Sequence, residues 1–251
     1  MRLDALLVER GLAESPHAAR AMILAGEIRV DGCANVKAGA MIAIGAHIEA
    51  PQSGSRYASR GGAKLEGALE DFGVSVDGKI CLDVGASTGG FTDCLLQHGA
   101  RRVYAVDVSS DQLDWKLRQD ARVVPIEKNA RYLRPEDLAR DLARGPENAS
   151  PEFVTIDVSF ISVATILPAV AAATPAQAEF LILVKPQFEL PRADVGAGGI
   201  VRDAKLHERA IERVRAAVAA AGLDVIGVRA SRVTGAEGNQ EFFIHARRRV
   251  S

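Results

Sequence analysis

Six ionisable residues carry the chemistry that this chain can offer: Lys64 in SRGGAKL, Asp83 in CLDVGASTGGF, Asp107 in VYAVDV, Asp157 in IDVSF, Lys185 in LVKPQFE and Glu241 in GNQEFF. A lysine placed directly after Leu181-Ile182-Leu183-Val184 and before Pro186 is costly to bury without a partner. Asp157 can be that partner, either in a purely structural ion pair or in a catalytic one. The turn after Asp83 admits two chemistries. Gly85-Ala86-Ser87-Thr88-Gly89 fits G-x-S-x-G, the strand-turn-helix elbow that presents a nucleophilic serine, and the same turn could cradle a nucleotide-like cofactor.

For a hydrolase, Ser87 needs an acid and a histidine, and His207 or His245 follow it in the chain. The turn, however, follows the first strand of its sheet, whereas a hydrolase elbow needs several strands before it. His207 sits in a charged helical segment and His245 beside Arg247-Arg248-Arg249, so both read as surface residues. The dinucleotide fingerprint G-x-G-x-x-G fails because position 87 is serine, and no Lys-Ser/Thr follows the glycines to hold a triphosphate. A neutral or zwitterionic nucleoside is left, and S-adenosylmethionine fits. Gly85, Gly89 and Gly90 permit close backbone approach, Ser87, Thr88 and Phe91 share the turn, and Asp83 or Asp107 can hold amino and hydroxyl groups. A glycine turn that serves strand-helix packing alone stays open.

The elements that must position these groups fall into two parts. Leu3, Leu6 and Leu7, then Ala18, Ala19, Met22 and Ile23, predict two short helices, with Gly26 as a stop. Ile28 and Val30 alternate with polar residues before the hairpin signal Asp31-Gly32, and Met41-Ile42-Ala43-Ile44 reads as a further strand. The composition of Pro51-Gln52-Ser53-Gly54-Ser55 is that of a linker. Beyond it, strands are predicted at 80–85, 102–107, 122–126, 153–158, 180–185, 224–229 and 241–246, alternating with helices such as 203–221. The class is α/β: a mostly parallel, helix-covered seven-stranded sheet, closed by an antiparallel hairpin of the last two strands, with a small N-terminal α+β unit. Ligands belong at the carboxyl ends of such strands.

Composition sets the outer bounds. The 251 residues are 48% hydrophobic and 25% charged, with a net charge of −1, which argues against a uniformly basic nucleic-acid binder and leaves local patches open. Cys33, Cys81 and Cys94 are odd in number and form no C-x-x-C pair, so a reducing cytoplasm is expected and a metal site is not. The N-terminus lacks the apolar core of a signal peptide, and the most apolar run, 163–173, contains Pro168 and is too short to span a bilayer. No membrane partner is expected.

Taken together, RLDALLVERGLAES, YASRGGAKLEGAL, CLDVGASTGGFTDCLL, VYAVDV, DVSFIS, LVKPQFE, GGIVRD and GNQEFF resemble the TlyA family over nearly the whole chain. The resemblance implies an S4-like RNA-binding domain at 1–50, a linker at 51–59 and an FtsJ/RrmJ-like, Rossmann-like methyltransferase domain at 60–251. It further implies S-adenosylmethionine as cofactor, ribosomal RNA or a ribosomal subunit as partner, and methylation of a cytidine 2′-hydroxyl by a Lys-Asp-Lys-Glu tetrad that falls on Lys64, Asp157, Lys185 and Glu241. Members with short termini resemble the group acting on large-subunit RNA, and here only Met1 precedes RLD. The chain departs from the family at Pro16, where S4 motifs place arginine, at Ala197, where lysine is usual, and at Glu127-Lys128-Asn129-Ala130-Arg131, one residue short, so Glu127 receives no role. Two other readings attach to such a chain: an RNA-binding protein without catalysis, which the intact tetrad opposes, and a membrane-active haemolysin, which the lack of a long apolar or amphipathic segment opposes.

A ribose hydroxyl is a poor nucleophile at neutral pH, so transfer needs its proton drawn off as the oxygen attacks. Lys185 is the candidate base, its pKa expected to be depressed by burial and a neighbouring Lys64 charge while Asp157 pulls the other way. For RNA contact the candidates are Arg2, Arg10, Arg20 and Arg29 in the N-terminal part, the acid-free window Arg56, Arg60 and Lys64, and Arg247-Arg248-Arg249 near the end.

Overall fold

The computed structural model describes residues 1–13, 15–24, 26, 28–33, 36–50, 56–139, 150–235 and 238–249; the linker stretch 51–55 lies outside them. In the N-terminal part, α1 (Leu3–Glu9), α2 (Pro16–Leu24) and an antiparallel pair, β1 (Arg29–Val30) and β2 (Ile48–Glu49), share a core of Leu3, Leu7, Ala19, Ile28, Val30 and Ala46. The proline that departs from the family opens α2, and the Ser15 hydroxyl accepts from the Ala18 N–H at 3.1 Å. Proline suits that first helical position because no N–H is needed there and its φ is preset. Asp31 and Gly32 form the expected two-residue turn with φ of 50° and 80°. The strand expected at Met41–Ile44 does not form. Ile42 exchanges backbone hydrogen bonds with Met1 alone, and Met41 and Ile44 are exposed, so the second strand forms later, at β2.

The larger part runs α3 (Arg60–Phe72), β3 (Ile80–Val84), α4 (Gly90–Gln97), β4 (Arg102–Asp107), α5 (Trp115–Gln119), β5 (Val123–Glu127), α6 (Pro135–Ala139), β6 (Phe153–Ile156), α7 (Val163–Ala173), β7 (Glu179–Val184), α8 (Pro186–Glu189), α9 (Ala204–Ala220), β8 (Leu223–Ala230) and β9 (Phe242–Arg248). The sheet order is β5-β4-β3-β6-β7-β9-β8. β5 to β7 are parallel, and β9 pairs antiparallel with both β7 and β8. This is the Rossmann-like sheet that the alternating pattern predicts.

Period-two burial sorts the strand residues between two cores. Leu82, Val84, Phe180, Ile182 and Val184 join the core beneath α7 and α9, while Cys81, Leu181 and Leu183 join the core beneath α3 and α4. Central strands covered on both faces read as unbroken apolar runs for this reason. The order of strands reverses at β3, whose neighbours are β4 on one side and β6 on the other. The crevice at the carboxyl ends of β3 and β6 is therefore where a ligand can enter.

Candidate active site

A cavity of about 1290 Å³ opens over those strand ends. Lys64, Asp157, Lys185 and Glu241 all line it, with Gly85, Ser87, Thr88, Gly90, Phe91 and Asp107. Asp157 follows β6 and Lys185 follows β7. Because β9 is antiparallel to β7, with Phe242 opposite Val184, Glu241 at its start comes to the same edge. Lys64 reaches in from the first turns of α3, a helix capped by the Ser59 hydroxyl, which accepts from the Gly61 N–H at 3.2 Å.

The four groups form two ion pairs. Lys64 Nζ donates to Glu241 Oε2 at 2.7 Å, with side chains 11% and 2% exposed, so each neutralises a charge that could not be buried alone. Lys185 Nζ lies 2.6 Å from Asp157 Oδ1 and donates to Ser159 Oγ at 2.9 Å. Burial works to lower the Lys185 pKa, but the Asp157 and Glu241 carboxylates outweigh it and hold the ammonium above the ordinary lysine value. This corrects the expected depression. Lys64 does not reach Lys185 as an uncompensated cation, because it is paired to Glu241.

The glycines of the turn, two of which line the cavity, also make room for protein groups. Gly85 has φ of 88°, and a Cβ there would overlap the Asp157 carbonyl oxygen, so its missing side chain serves the approach of the Asp157 backbone. Gly89, with φ of 96°, makes room for Leu117 and Leu113, and Gly90 for Ser59. Two residues expected at the cofactor lie away from the cavity wall. Gly89 is one. Asp83 is the other: fully buried, it accepts from Thr92 Oγ1 at 2.7 Å and Thr155 Oγ1 at 2.9 Å, tying β3 to α4 and β6. Burial pushes its carboxyl up to about 7 against those hydrogen bonds. Asp107 does line the cavity, holding the turn through the Ser87 N–H at 2.9 Å.

Ser87 itself has a left-handed φ of 48°, as an elbow serine would. Neither histidine serves it. His207 Nε2 bonds the Val201 carbonyl, and His245 Nε2 bonds Glu179 at the start of β7, the opposite edge of the sheet. His245, read as a surface residue, is 3% exposed, buried by pairing with Glu179 and packing on Phe72.

The arginines expected at RNA brace the fold first. Arg2 and Arg20 both bond Asp4, Arg10 donates to the Ala46 and Ile44 carbonyls, and Arg29 lies half-buried in β1. The window 56–64 is not acid-free in space: Arg56 pairs with Glu66, Lys64 with Glu241, and Arg60 donates to the Gly26 carbonyl at 3.2 Å. Near the end, Arg247 bonds Glu179, Arg248 bonds Thr174 and Ala171 carbonyls and Arg249 bonds Asp224. Sequence reasoning missed Val108, Gln112 and Asn129 beside Asp107, and Ser159, Phe160 and Phe188 beside Lys185, all on the cavity wall. Phe160 has a positive φ of 66° and is 78% exposed, with its ring against Phe188. DVSF in the sequence marks its place but not its exposure.

Residues 57–248 match the FtsJ-like methyltransferase family and residues 1–32 the S4 domain. The chain belongs to the FtsJ-like methyltransferase family. Among similar FtsJ-like proteins, TlyA of Mycobacterium tuberculosis, a 16S/23S rRNA (cytidine-2′-O)-methyltransferase, is 43% identical over 98% of this chain and 89% of its own. YqxC of Bacillus subtilis, described as an rRNA methyltransferase, is 47% identical over 97% of this chain and 84% of its own. A solved Streptococcus thermophilus structure described as a hemolysin superposes with a TM-score of 0.74 at 42% identity, covering 100% of this chain and 89% of that one. Among the described residues no helix is long and apolar enough to cross a membrane.

Proposed function

We propose that this chain transfers a methyl group from S-adenosylmethionine to a ribose 2′-hydroxyl of ribosomal RNA, a cytidine's as in the M. tuberculosis relative's name. The observation that carries this reading is the convergence of the Lys185–Asp157 and Lys64–Glu241 pairs on one cavity with Asp107 and the glycine turn. The donor set fits S-adenosylmethionine. Asp107 keeps acceptor capacity beyond its backbone hydrogen bonds from Ser87 and Ser109, enough for ribose hydroxyls. Val108, 65% exposed on the same wall, offers an apolar face to a base. When bound, this cofactor supplies an electrophilic methyl on a sulfonium centre.

The chain's own residues do the rest. Phe160 presents an aromatic face at the rim, where a nucleobase taken out of its stack can rest. Lys185 Nζ takes the proton of the 2′-hydroxyl, and Asp157 orients the amine and stabilises the ammonium that results. In the free site Lys185 rests as the ammonium, so turnover rises with pH as the amine form becomes available. RNA closing over the cavity strips the remaining water from a side chain only 12% exposed and shifts that balance toward the amine. Glu241 fixes Lys64. The S4 domain adds RNA affinity through the exposed halves of Arg2 and Arg20, whose side chains remain 52% and 59% exposed.

The test is the chemical step. Lys185→Ala is expected to lower single-turnover transfer to unmodified ribosomal RNA by on the order of 10²-fold or more, with S-adenosylmethionine affinity in calorimetry little changed. Lys185→Arg does not rescue, because guanidinium keeps its proton at any working pH. Transfer at the wild-type rate by Lys185→Met, of similar volume, would mean that the lysine is only an ion-pair partner.

A further inference from the structure

Lys185 is held at two points. Asp157 Oδ1 stands 2.6 Å from Nζ and Ser159 Oγ accepts from it at 2.9 Å. Both acceptors come from the single short stretch Asp157-Val158-Ser159-Phe160 that follows β6, where Phe160 takes the left-handed φ of 66°. An aromatic residue in that conformation carries a strain of about 1–2 kcal/mol, and such strain collects where the local geometry is functional. Here the turn lets the serine hydroxyl meet the lysine and the phenylalanine ring meet the cavity.

Tetrahedral nitrogen makes the second acceptor consequential. An ammonium has three N–H directions; one is committed to Ser159 Oγ, while Asp157 Oδ1 holds the charge from 2.6 Å as an ion pair off the hydrogen-bonding direction. After deprotonation the neutral amine keeps two N–H groups and one lone pair. The Ser159 hydroxyl holds one N–H group and the Asp157 carboxylate, 2.6 Å away, repels a lone pair on its side, so the lone pair falls on the third vertex. With Asp157 alone, the lone pair would be divided between two vertices. We infer that Ser159 is a positioning residue for the methyl transfer, directing the free vertex of Lys185 Nζ at the substrate hydroxyl. The inference rests on the reading of Lys185 as base.

Charged groups around Lys185 are Asp157 from the loop after β6, Glu241 from the start of β9 and, through Glu241, Lys64 from α3; α8 adds the uncharged Gln187 and Phe188 to the same cavity. Against that fixed background, a hydroxyl that accepts from the ammonium favours the charged form. Loss of Ser159 therefore does two separable things: it lowers the pH at which the amine appears, and it lowers the rate once the amine is fully formed. Ser159 is exposed, so its removal leaves the cores untouched.

Single-turnover methylation of ribosomal RNA lacking the modification, at saturating S-adenosylmethionine, is measured against pH for wild type, Ser159→Ala, Ser159→Thr and Lys185→Ala. Ser159→Ala is expected to move the midpoint about half a pH unit lower and to reduce the alkaline plateau roughly tenfold, with unchanged melting temperature and donor affinity. Ser159→Thr, which keeps the hydroxyl, restores both. A wild-type midpoint and plateau in Ser159→Ala, with Lys185→Ala inactive, would overturn the role of Ser159 while leaving Lys185 as base. Wild-type turnover in Lys185→Ala would remove the base reading and this inference with it.

Discussion

Gly85→Ala separates a glycine kept for the proposed cofactor from one kept for the approach of the Asp157 backbone. A methyl group at position 85 would overlap the Asp157 carbonyl oxygen and lie 2.9 Å from its carbonyl carbon. Carbon atoms in ordinary contact stand about 3.5–4 Å apart, so the segment after β6 must retreat by roughly 0.6 to 1 Å. The Lys185–Asp157 pair, 2.6 Å in the wild type, stretches by a comparable amount. Misplacement of a catalytic group by about 1 Å lowers rate on the order of 10²-fold. Stability falls as well, by about 1–2 kcal/mol for alanine at a left-handed φ and about 1–3 kcal/mol for overpacking. The assay is single-turnover transfer at saturating S-adenosylmethionine, run beside calorimetric titration of the donor and a denaturant melt. The expected result is a folded, less stable protein whose donor affinity changes by only a few-fold while transfer falls about 10²-fold. Transfer at the wild-type rate with donor affinity reduced 10²-fold would refute this reasoning and return Gly85 to the cofactor.

Two further outcomes follow from buried charge and backbone strain. The Asp83 carboxyl titrates at about 7 when folded and near 3.8 when unfolded, so the folded state binds the extra proton between those values and stability declines as pH rises through that window. Asp83→Asn is expected to flatten this slope in melting temperature against pH, and a slope equal to wild type would show that Asp83 ionises normally in the fold. Phe160→Gly relieves the left-handed φ and is expected to stabilise the protein by up to about 1 kcal/mol while weakening RNA methylation at subsaturating RNA by an amount equivalent to about 1–3 kcal/mol of lost base stacking. Unchanged KM for RNA in that variant would remove Phe160 from the substrate site.

The centre of the sheet was legible in the sequence because its strands are buried on both faces: ICLDV, FVTI and EFLILV are too apolar and too short to be anything but central strands. For the same reason the ends of such runs pointed to Asp107, Asp157 and Lys185, since a charge that closes an apolar strand needs a partner wherever the fold brings one. The small sheet of the N-terminal part was less legible. Its strands are two residues long, and the MIAI run that looks like a strand gives its Ile42 backbone to Met1 instead.

What the sequence could not determine is who meets whom across distance. Lys64 and Glu241 are 177 residues apart and share a hydrogen bond of 2.7 Å because β9 runs antiparallel to β7, which brings its start to the carboxyl ends of the parallel strands. The direction of the Lys185 pKa is likewise a tertiary result, decided by how close two carboxylates come to a buried ammonium rather than by the lysine's apolar neighbours in the chain. Asp83 and Asp107 look alike as acids around a glycine turn. By register both fall on the same face of the sheet, but Asp83 lies within β3 beside Ala105 and is buried under threonines, whereas Asp107 stands two residues further along, at the open carboxyl end of β4, and reaches the cavity.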